Sequence, residues 1–310
     1  MNDNSFIKKY SIRGLQYYHD FEIEFSHHCC ILVGENGLGK TTILNILYAV
    51  LAKKWAFLSD CAFDFLEIEF KEQKVISFSH AELEAYLIEK YTNESKNLGI
   101  SSSISQLFKS IELVIDQALK GEILYLPAFR NVREDLMILR RQLTSVIKEG
   151  MDADEGFDAD FSSIEDDILI PFDLRYLESR LLADNDRTFN FIKTCNSYLV
   201  NTHLVFDKKS RMINLYSKAD STEQVPVTQL SSGEKQILYI FSKIHLNNNA
   251  NLCILFDEPE MSLSLTWQRK ILPDIIDSGK YFFLLAITHS PFIFDNKLDE
   301  YAEGINIYFK

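Results

Sequence analysis

The chain has 310 residues, which is enough for one large domain or two smaller domains with a sizeable core. Apolar residues make up 46% of it and charged residues 25%, as is ordinary for a folded soluble protein. The sequence contains neither an apolar stretch long enough to span a membrane nor the apolar centre of a signal peptide, so we expect a cytoplasmic protein without membrane association. The formal net charge of −13 excludes wholesale wrapping of nucleic acid, which needs a basic surface.

The first part of the chain predicts β structure, then a buried strand with a helix directly behind it. Strict apolar alternation over residues 21–25 is typical of a half-buried strand. The spacing of Ile43, Leu47 and Leu51 is that of one face of a helix. The predicted elements are strands over 11–15, 21–25 and 29–33, a helix over 41–52, a hairpin over 63–70 and 74–79, helices over 80–91 and 104–119, and a strand from 122 that Pro127 ends.

The second part of the chain contains an acidic segment and then alternating strands and helices. Residues 151–167 hold eight acidic residues and no Lys or Arg, and we expect a disordered, solvated loop there. The elements predicted after it are strands over 203–207, 212–217 and 225–230, a helix from Glu234 to about Leu246, a buried strand over 251–257, a helix over 264–276, a buried strand over 281–288 and a closing strand over 304–309. Buried strands that alternate with helices predict an α/β fold with a parallel sheet.

The segment GENGLGKT, residues 34–41, fits the phosphate-loop pattern G-x-x-x-x-G-K-[ST] and lies between a predicted strand and a predicted helix. Its glycines let successive N–H groups turn towards a phosphate, and the following helix adds the positive end of its dipole. We expect Lys40 to reach the β- and γ-phosphates of ATP and the Thr41 hydroxyl to coordinate Mg²⁺. The residues assigned to this loop are Gly34, Glu35, Asn36, Gly37, Leu38, Gly39, Lys40, Thr41 and Thr42.

Acidic residues and a histidine end two later buried strands. Asp257 closes the strand that runs into FDEPE, and we assign it to the Mg²⁺ shell. Glu258 follows it and is our candidate general base, whereas Glu260 could cap the next helix. His289 of THSP ends the other strand, at the edge where ligands collect in α/β sheets, and we assign it to sensing the γ-phosphate.

A second glycine-centred loop, LSSGEKQ at residues 230–236, precedes a predicted apolar helix. In the order GENGLGKTT, LSSGEKQ, FDEPE and ATHS, the chain resembles the ABC-type ATPases through their Walker A, signature, Walker B and switch-histidine motifs. More narrowly, it resembles the soluble branch that includes Rad50, SMC, RecF and OLD-type proteins. The resemblance covers roughly residues 5–60 and 200–310, and it implies a P-loop fold of ABC type: a mixed sheet with a parallel core, and an antiparallel amino-terminal sheet.

In that family the signature loop of one subunit closes over the ATP held by its partner. The resemblance therefore implies a homodimer formed around ATP, with higher oligomers left open. The signature residues so assigned are Ser231, Ser232, Gly233 and Glu234. The chain departs from the family pattern in four places. Ser232 stands where transporters usually have the first signature glycine, as is common in the soluble branch, and Ser264 stands where relatives often have histidine. No glutamine clearly marks a Q-loop, and no aromatic platform for adenine is evident. By position, the turn over residues 126–130 could replace the Q-loop.

The resemblance also implies a split ATPase domain, residues 1–80 and 196–310, and a mainly helical insertion, residues 81–195. That spacing is longer than a transporter subunit needs and shorter than the arms of Rad50 or SMC. The combination resembles the short ATPase subunits of bacterial anti-phage systems of the Septu, retron and PARIS types, which act beside a separately encoded effector. It implies a slow, regulatory ATPase with a nuclease or toxin as its partner.

Three other functions remain open from the sequence. A DNA-repair ATPase of the RecF or Rad50 kind would bind DNA. A basic edge for this could come from Arg130, Arg133, Arg140 and Arg141, but we favour a solvated helix in which Glu134 and Asp135 are their partners. A transporter subunit is opposed by the long insertion. A scaffold that binds ATP without turnover would differ only in lacking hydrolysis.

Overall fold

The computed structural model describes residues 5–16, 19–35, 37–94, 103–128, 185–207 and 212–310. The strands are β1 (Ile7–Leu15), β2 (His19–Glu24), β3 (Cys29–Val33), β4 (Phe65–Phe70), β5 (Val75–Ser79), β6 (Glu122–Leu126), β7 (Thr202–Asp207), β8 (Met212–Ser217), β9 (Leu252–Asp257), β10 (Tyr281–Thr288) and β11 (Ala302–Gly304). The helices are α1 (Lys40–Leu51), α2 (Trp55–Leu58), α3 (His80–Glu94), α4 (Ser103–Ala118), α5 (Asn185–Asn196), α6 (Ser232–His245) and α7 (Leu265–Asp277).

The core sheet has five strands in the order β11-β3-β10-β9-β6, and every pairing in it is parallel. Parallel strands end at the same edge of a sheet, so the segments that follow β3, β9 and β10 are brought together. Those segments carry the phosphate loop, the two acids after the buried strand and the THSP sequence. The parallel strands, the helices between them along the chain and the shared edge of the sheet confirm the predicted P-loop α/β fold.

A separate antiparallel sheet is formed by the amino-terminal strands in the order β2-β1-β4-β5. Along β4 the side chains of Leu66, Ile68 and Phe70 are buried, and the residues between them are not. This period of two is the one that the sequence predicted for a sheet with a single buried face. The Tyr10 hydroxyl of β1 donates to the Ile43 carbonyl of α1 at 2.9 Å, which fixes this sheet to the helix behind the phosphate loop.

The chain divides into two compact units. The first comprises Met1–Leu126, Asn249–Glu260 and Arg269–Lys310 and contains both larger sheets. The second comprises Pro127–Asn248 and Met261–Gln268, and its described part contains α5, the β7-β8 hairpin and α6. In this second unit the Tyr198 and Phe241 rings pack with centroids 5.5 Å apart, both side chains being buried.

Two segments differ from their predicted form, and a third has its predicted form but pairs with the core sheet. Residues 225–230 contain a 3₁₀ helix, Val227–Gln229, because Pro226 has no N–H to donate to a ladder. Residues 304–309 are also mainly 3₁₀, and the closing strand β11 lies just before them. Strand β6, which falls inside the predicted insertion 81–195, pairs with β9 in the core sheet. The acidic loop 151–167 and the four arginines from Arg130 to Arg141 lie outside the described residues.

All five cysteines are free thiols, and four of them are buried. Burial raises the pKa of Cys29 to about 12 and that of Cys61 to about 11, which keeps these thiols protonated and unreactive at neutral pH. Among the described helices, none combines the length and the apolar character that crossing a bilayer requires.

Candidate functional site

The phosphate loop turns sharply between β3 and α1. Gly37 has φ 88° and Gly39 has φ 69°, both in the left-handed region that residues with a Cβ rarely enter. Gly39 is the N-cap of α1, and no side chain caps this helix start. The first N–H groups of α1 therefore have no side-chain acceptor from the N-cap, which is the usual state of a helix start that receives an anion.

Lys40 is the first residue of α1, and only 5% of it is exposed. Its ammonium donates to the Glu35 carbonyl within the loop, and its Nζ lies 3.4 Å from Nδ1 of His289. Burial lowers the pKa of Lys40, while the nearby carboxylates of Glu258 and Asp257 act to raise it. A cation that is poorly hydrated and held inside the loop is suited to a phosphate oxygen, because little solvent has to be displaced when the anion arrives.

Thr41, the second residue of α1, contacts Asp257 at the end of β9. The Thr41 hydroxyl donates to Oδ2 of Asp257 at 2.9 Å, and Asp257, the last residue of β9, is 1% exposed. A hydroxyl and a carboxylate are hard oxygen ligands of the kind that Mg²⁺ prefers, usually with waters and substrate phosphates completing its shell. Within the described residues no group of three or more His, Cys, Asp or Glu side chains could hold a metal alone. The pair thus fits Mg²⁺ bound together with a nucleotide.

Glu258 and His289 face each other next to Lys40. Oε1 of Glu258 lies 3.7 Å from Nε2 of His289, and Glu258 is 5% exposed. Glu258 has φ 46°, an uncommon value for a residue with a Cβ, and its N–H donates to the Ile287 carbonyl of β10 at 2.8 Å. Nδ1 of His289 faces the Lys40 ammonium and Nε2 faces the Glu258 carboxylate, so the imidazole lies between a cation and an anion.

Glu260 holds the end of β10. Its Oε2 accepts from the Thr288 hydroxyl and its Oε1 accepts from the His289 N–H, both at 2.7 Å. The Thr288 hydroxyl in turn accepts from the Ser290 N–H at 2.9 Å. The sequence offered Glu260 as a cap of the following helix, whereas this carboxylate fixes the backbone that carries His289. Sequence spacing could not show this, because Glu260 and His289 are far apart along the chain and are brought together by the pairing of β9 with β10.

Gln16 is a neighbour of the phosphate loop that the sequence did not single out. Its Nε2 donates to the Thr42 hydroxyl at 3.3 Å, and its side-chain amide lies 3.6 Å from the Cβ position of Gly39. Gln16 has φ 52°, which marks the sharp end of β1. The sequence alone did not indicate this contact with the phosphate loop, because it depends on the left-handed backbone of Gln16.

The signature loop lies in the second compact unit and forms a capping box. The Ser231 hydroxyl donates to Oε2 of Glu234 at 2.7 Å, and the Ser231 N–H donates to the same oxygen at 2.9 Å. The Glu234 N–H returns a hydrogen bond to the Ser231 hydroxyl at 3.3 Å. The helix start predicted at Glu234 therefore lies at Ser232, with Ser231 as its N-cap and both serines exposed.

Position 233 has no room for a side chain, because another segment of the same unit lies against it. A Cβ at this position would lie 2.5 Å from the Ser262 carbonyl oxygen and 3.3 Å from the Trp267 ring. Ser262 has φ 58°, and the Ser264 hydroxyl accepts from the Trp267 N–H at 3.4 Å as α7 begins. The start of the signature helix thus rests directly on the segment that follows DEPE.

The structure brings one set of the predicted site residues together in the first unit. These are Gly34, Glu35, Gly37, Leu38, Gly39, Lys40, Thr41, Thr42, Asp257, Glu258 and His289. Asn36 lies outside the described residues. The signature residues form their own cluster in the second unit. Of the proposed Q-loop turn, Leu126 pairs with Phe256 in the core sheet, and residues 129 and 130 are outside the described part.

Comparisons with known proteins found similar solved structures and one family. An SMC head bound to the C-winged helix domain of ScpA has a TM-score of 0.48 and 14% identity, covering 93% of this chain and 90% of that one. The SMC head domain from Thermotoga maritima has a TM-score of 0.43 and 10% identity, covering 93% and 91%. An SMC head with an extended coiled coil, bound to the C-terminal domain of ScpA from Pyrococcus furiosus, has a TM-score of 0.40 and 14% identity, covering 93% and 90%. None of the curated proteins compared with the chain matches it significantly.

The family match spans the phosphate loop, both acidic residues and the histidine. Residues 29–295 match the model of the family described as "AAA domain, putative AbiEii toxin, Type IV TA system". This range covers most of the chain, and it begins at β3 and ends beyond β10. The chain therefore belongs to this family of AAA-domain proteins.

Proposed function

We propose that this protein binds and hydrolyses ATP. The observation that carries the proposal is the convergence of Lys40, Thr41 with Asp257, and Glu258 with His289 at one edge of a parallel sheet. Each group has the chemistry that phosphoryl transfer to water needs: a cation for the phosphates, an oxygen pair for the metal and a carboxylate beside the position of the γ-phosphate.

In the proposed reaction a water molecule attacks the γ-phosphorus, the bond from that phosphorus to the bridging oxygen of ADP breaks, and the proton of the water passes to the Glu258 carboxylate. The Lys40 ammonium holds the phosphate oxygens as negative charge shifts towards ADP. His289 donates its Nε2 proton as a hydrogen bond to the γ-phosphate or to Glu258. Thr41 and Asp257 would hold Mg²⁺, which neutralises charge on the phosphates when it is bound.

We assign Glu260 as a positioning residue for His289. Its two oxygens fix both the side chain before the histidine and the N–H of the histidine itself. With the β10 end held at two points, the imidazole is restricted to the narrow space between Lys40 and Glu258. A loosened histidine would affect the chemical step far more than it affects the binding of ATP.

Replacing Glu260 by alanine is expected to lower kcat about 10- to 100-fold while KM changes by less than about threefold. Glutamine at this position keeps an acceptor for the His289 N–H and a partner for the Thr288 hydroxyl, so it should recover most of the lost rate. Steady-state ATPase assays of both variants measure this. Equal losses in the two variants, or a loss that falls mainly on KM, would contradict a positioning role.

We further propose that two copies assemble around ATP, with the signature loop of one copy completing the site of the other. The start of α6 offers N–H groups and a positive dipole end, and Ser231 and Ser232 are exposed there. The Ser231 hydroxyl would donate to a γ-phosphate oxygen in place of the Glu234 carboxylate, while its oxygen still accepts from the Glu234 N–H and keeps the helix capped.

The cellular role that we propose is the regulation of a separately encoded effector in anti-phage defence. The family description names a toxin and a toxin–antitoxin system, in which two gene products act as a pair. The motif order resembles the ATPase subunits of such systems. A slow ATPase cycle would then hold the effector inactive until a trigger shifts the population of closed pairs.

Cells that carry the locus with Lys40→Ala or Glu258→Gln are expected to lose protection, so that phage plaque at least about tenfold more efficiently than on cells with the unchanged locus, because both variants remove the nucleotide cycle that gates the effector. The control is Glu303→Gln, an exposed carboxylate on β11, which should leave protection intact. Unchanged protection in both site variants, with the protein still present at normal abundance, would exclude an ATP-gated defence role while leaving the ATPase itself untouched.

A further inference from the structure

A second cavity lies at the opposite edge of the core sheet from the phosphate loop. It has a volume of about 340 Å³. His28 directly precedes β3, Asn251 directly precedes β9 and Phe282 is the second residue of β10, so these lining residues mark the amino ends of the strands. The five residues of β3 separate the two edges by roughly 16 Å at about 3.3 Å per residue. The cavity is therefore distinct from the site proposed for ATP.

The inner wall of this cavity is aromatic. Phe6 lies between Phe70 and Phe282, with ring centroids 5.3 Å and 5.2 Å apart, and all three rings line the cavity. Phe70 is fully buried and Phe282 is partly exposed. The ring plane of Phe6 is inclined by 46° to that of Phe70 and by 86° to that of Phe282, so the exposed part of Phe282 is the apolar surface that another ring can contact.

The rim is basic although the whole chain is acidic. Lys71, Lys74 and Lys120 line the cavity together with one acid, Glu72, which pairs with Lys74 at 3.5 Å. Within the described part of the chain, the side chains of Lys71 and Lys120 take part in no ion pair. A local excess of cations in a protein of net charge −13 attracts an anion of matching size.

Two of these lysines are placed by an unusual turn. Glu72 has φ 69° and Gln73 has φ 59°, so both central residues of the tight β4-β5 turn are left-handed. Asparagine and glycine are the usual residues there, because a Cβ is disfavoured in this region. The turn holds Lys71 and Lys74 at its two ends, beside the cavity. Positive φ at both central residues is the geometry of a tight hairpin turn, and it fixes the positions of the two lysines relative to the cavity.

We propose that this cavity binds a small aromatic organic phosphate of nucleoside monophosphate size. Its ring would pack against the exposed part of Phe282, and its phosphate would pair with Lys71, Lys74 and Lys120. The volume lies near the lower end of the range of about 300–1,000 Å³ that is usual for small-molecule sites, which suits one ring system and one phosphate. The lining contains no glycine-rich loop and no aspartate, so a metal-bound triphosphate is a poorer fit.

Calorimetric titration with AMP tests this assignment, with adenosine and inorganic phosphate as probes of the two halves. AMP should bind, and each half alone should bind at least about tenfold more weakly because it uses only part of the cavity. Lys71→Ala and Lys120→Ala should each weaken AMP binding about tenfold. Lys109→Ala, an exposed lysine on α4 outside the cavity, is the matched control and should change nothing.

The two nucleotide sites are separated by a further pair of measurements. Lys40→Ala should abolish ATP binding and leave AMP binding intact, whereas Lys71→Ala and Lys120→Ala should leave ATP binding intact and weaken AMP binding about tenfold. AMP binding that is lost in Lys40→Ala and kept in the cavity variants would overturn the proposal, as would no AMP binding at all. An acidic peptide such as oligoglutamate that binds through these lysines, while AMP does not, would also overturn it and identify a protein-docking surface.

Discussion

Glu258→Gln is expected to lower the rate of ATP hydrolysis about 10²- to 10⁴-fold and to leave ATP binding nearly unchanged. The amide keeps the size of the carboxylate, so the uncommon backbone at φ 46° and the fit beside His289 are preserved. What is lost is the ability to accept a proton from the attacking water. Turnover measured by phosphate release, and binding measured by equilibrium titration with ATP, separate the two effects.

The control for this variant is Glu303→Gln, which makes the same chemical change at an exposed position on β11. It should hydrolyse ATP at the wild-type rate. If Glu258→Gln turned over ATP as fast as Glu303→Gln, then Glu258 would not be the base. If it bound ATP much more weakly, the carboxylate would act in binding rather than in catalysis.

A mixture of two inactive variants is expected to regain activity. Lys40→Ala removes the phosphate cation from one copy. Ser231→Asp keeps a residue that caps helices well and adds a negative charge where the γ-phosphate of the partner would sit. Each variant alone should lose at least about 100-fold in rate, because every dimer of either kind has two defective sites. In a mixed dimer the intact loop of one copy meets the intact signature of the other.

Random mixing at equal amounts makes about half of the dimers mixed, each with one of its two sites intact, so about a quarter of the wild-type rate should return. Ser110→Asp, the same chemical change at an exposed position on α4, is the matched control and should retain the wild-type rate. Mixtures that stay inactive at every ratio, while the variants still form dimers, would contradict a site shared between copies.

Much of the fold could be predicted from the pattern of apolar and polar residues within each segment. The alternation in β4 follows from one buried face and is found in the structure. The helix predicted from the spacing of apolar residues is also found as α1, although it is buried on most of its surface. Pro226 was visible in the sequence, yet its effect on the neighbouring residues was underestimated, and Val227–Gln229 is 3₁₀ rather than a strand. The place of β6 in the core sheet depends on its pairing with β9, more than a hundred residues away, which no local pattern shows.

The candidate site divides in the same way. Lys40, Thr41 and Asp257 could be predicted because each lies in a loop or at a strand end that has a recognisable sequence motif. The role of Glu260 could not be predicted, since it depends on two hydrogen bonds between neighbouring strands. Gln16 was missed because its contact with Thr42 follows from a left-handed backbone angle, for which glutamine gives no signal.

The parallel order of β3, β10 and β9 has a consequence for the speed of the proposed cycle. The groups that handle the nucleotide are attached to the ends of three adjacent strands, and hydrogen-bonded strands do not move independently. One folded copy therefore already holds these groups in place, and under the proposed dimer only the signature loop of the partner would remain to be added. The rate of ATP hydrolysis would then depend on how often two copies meet rather than on a conformational change within one copy. The activity per molecule should therefore increase with the concentration of the protein.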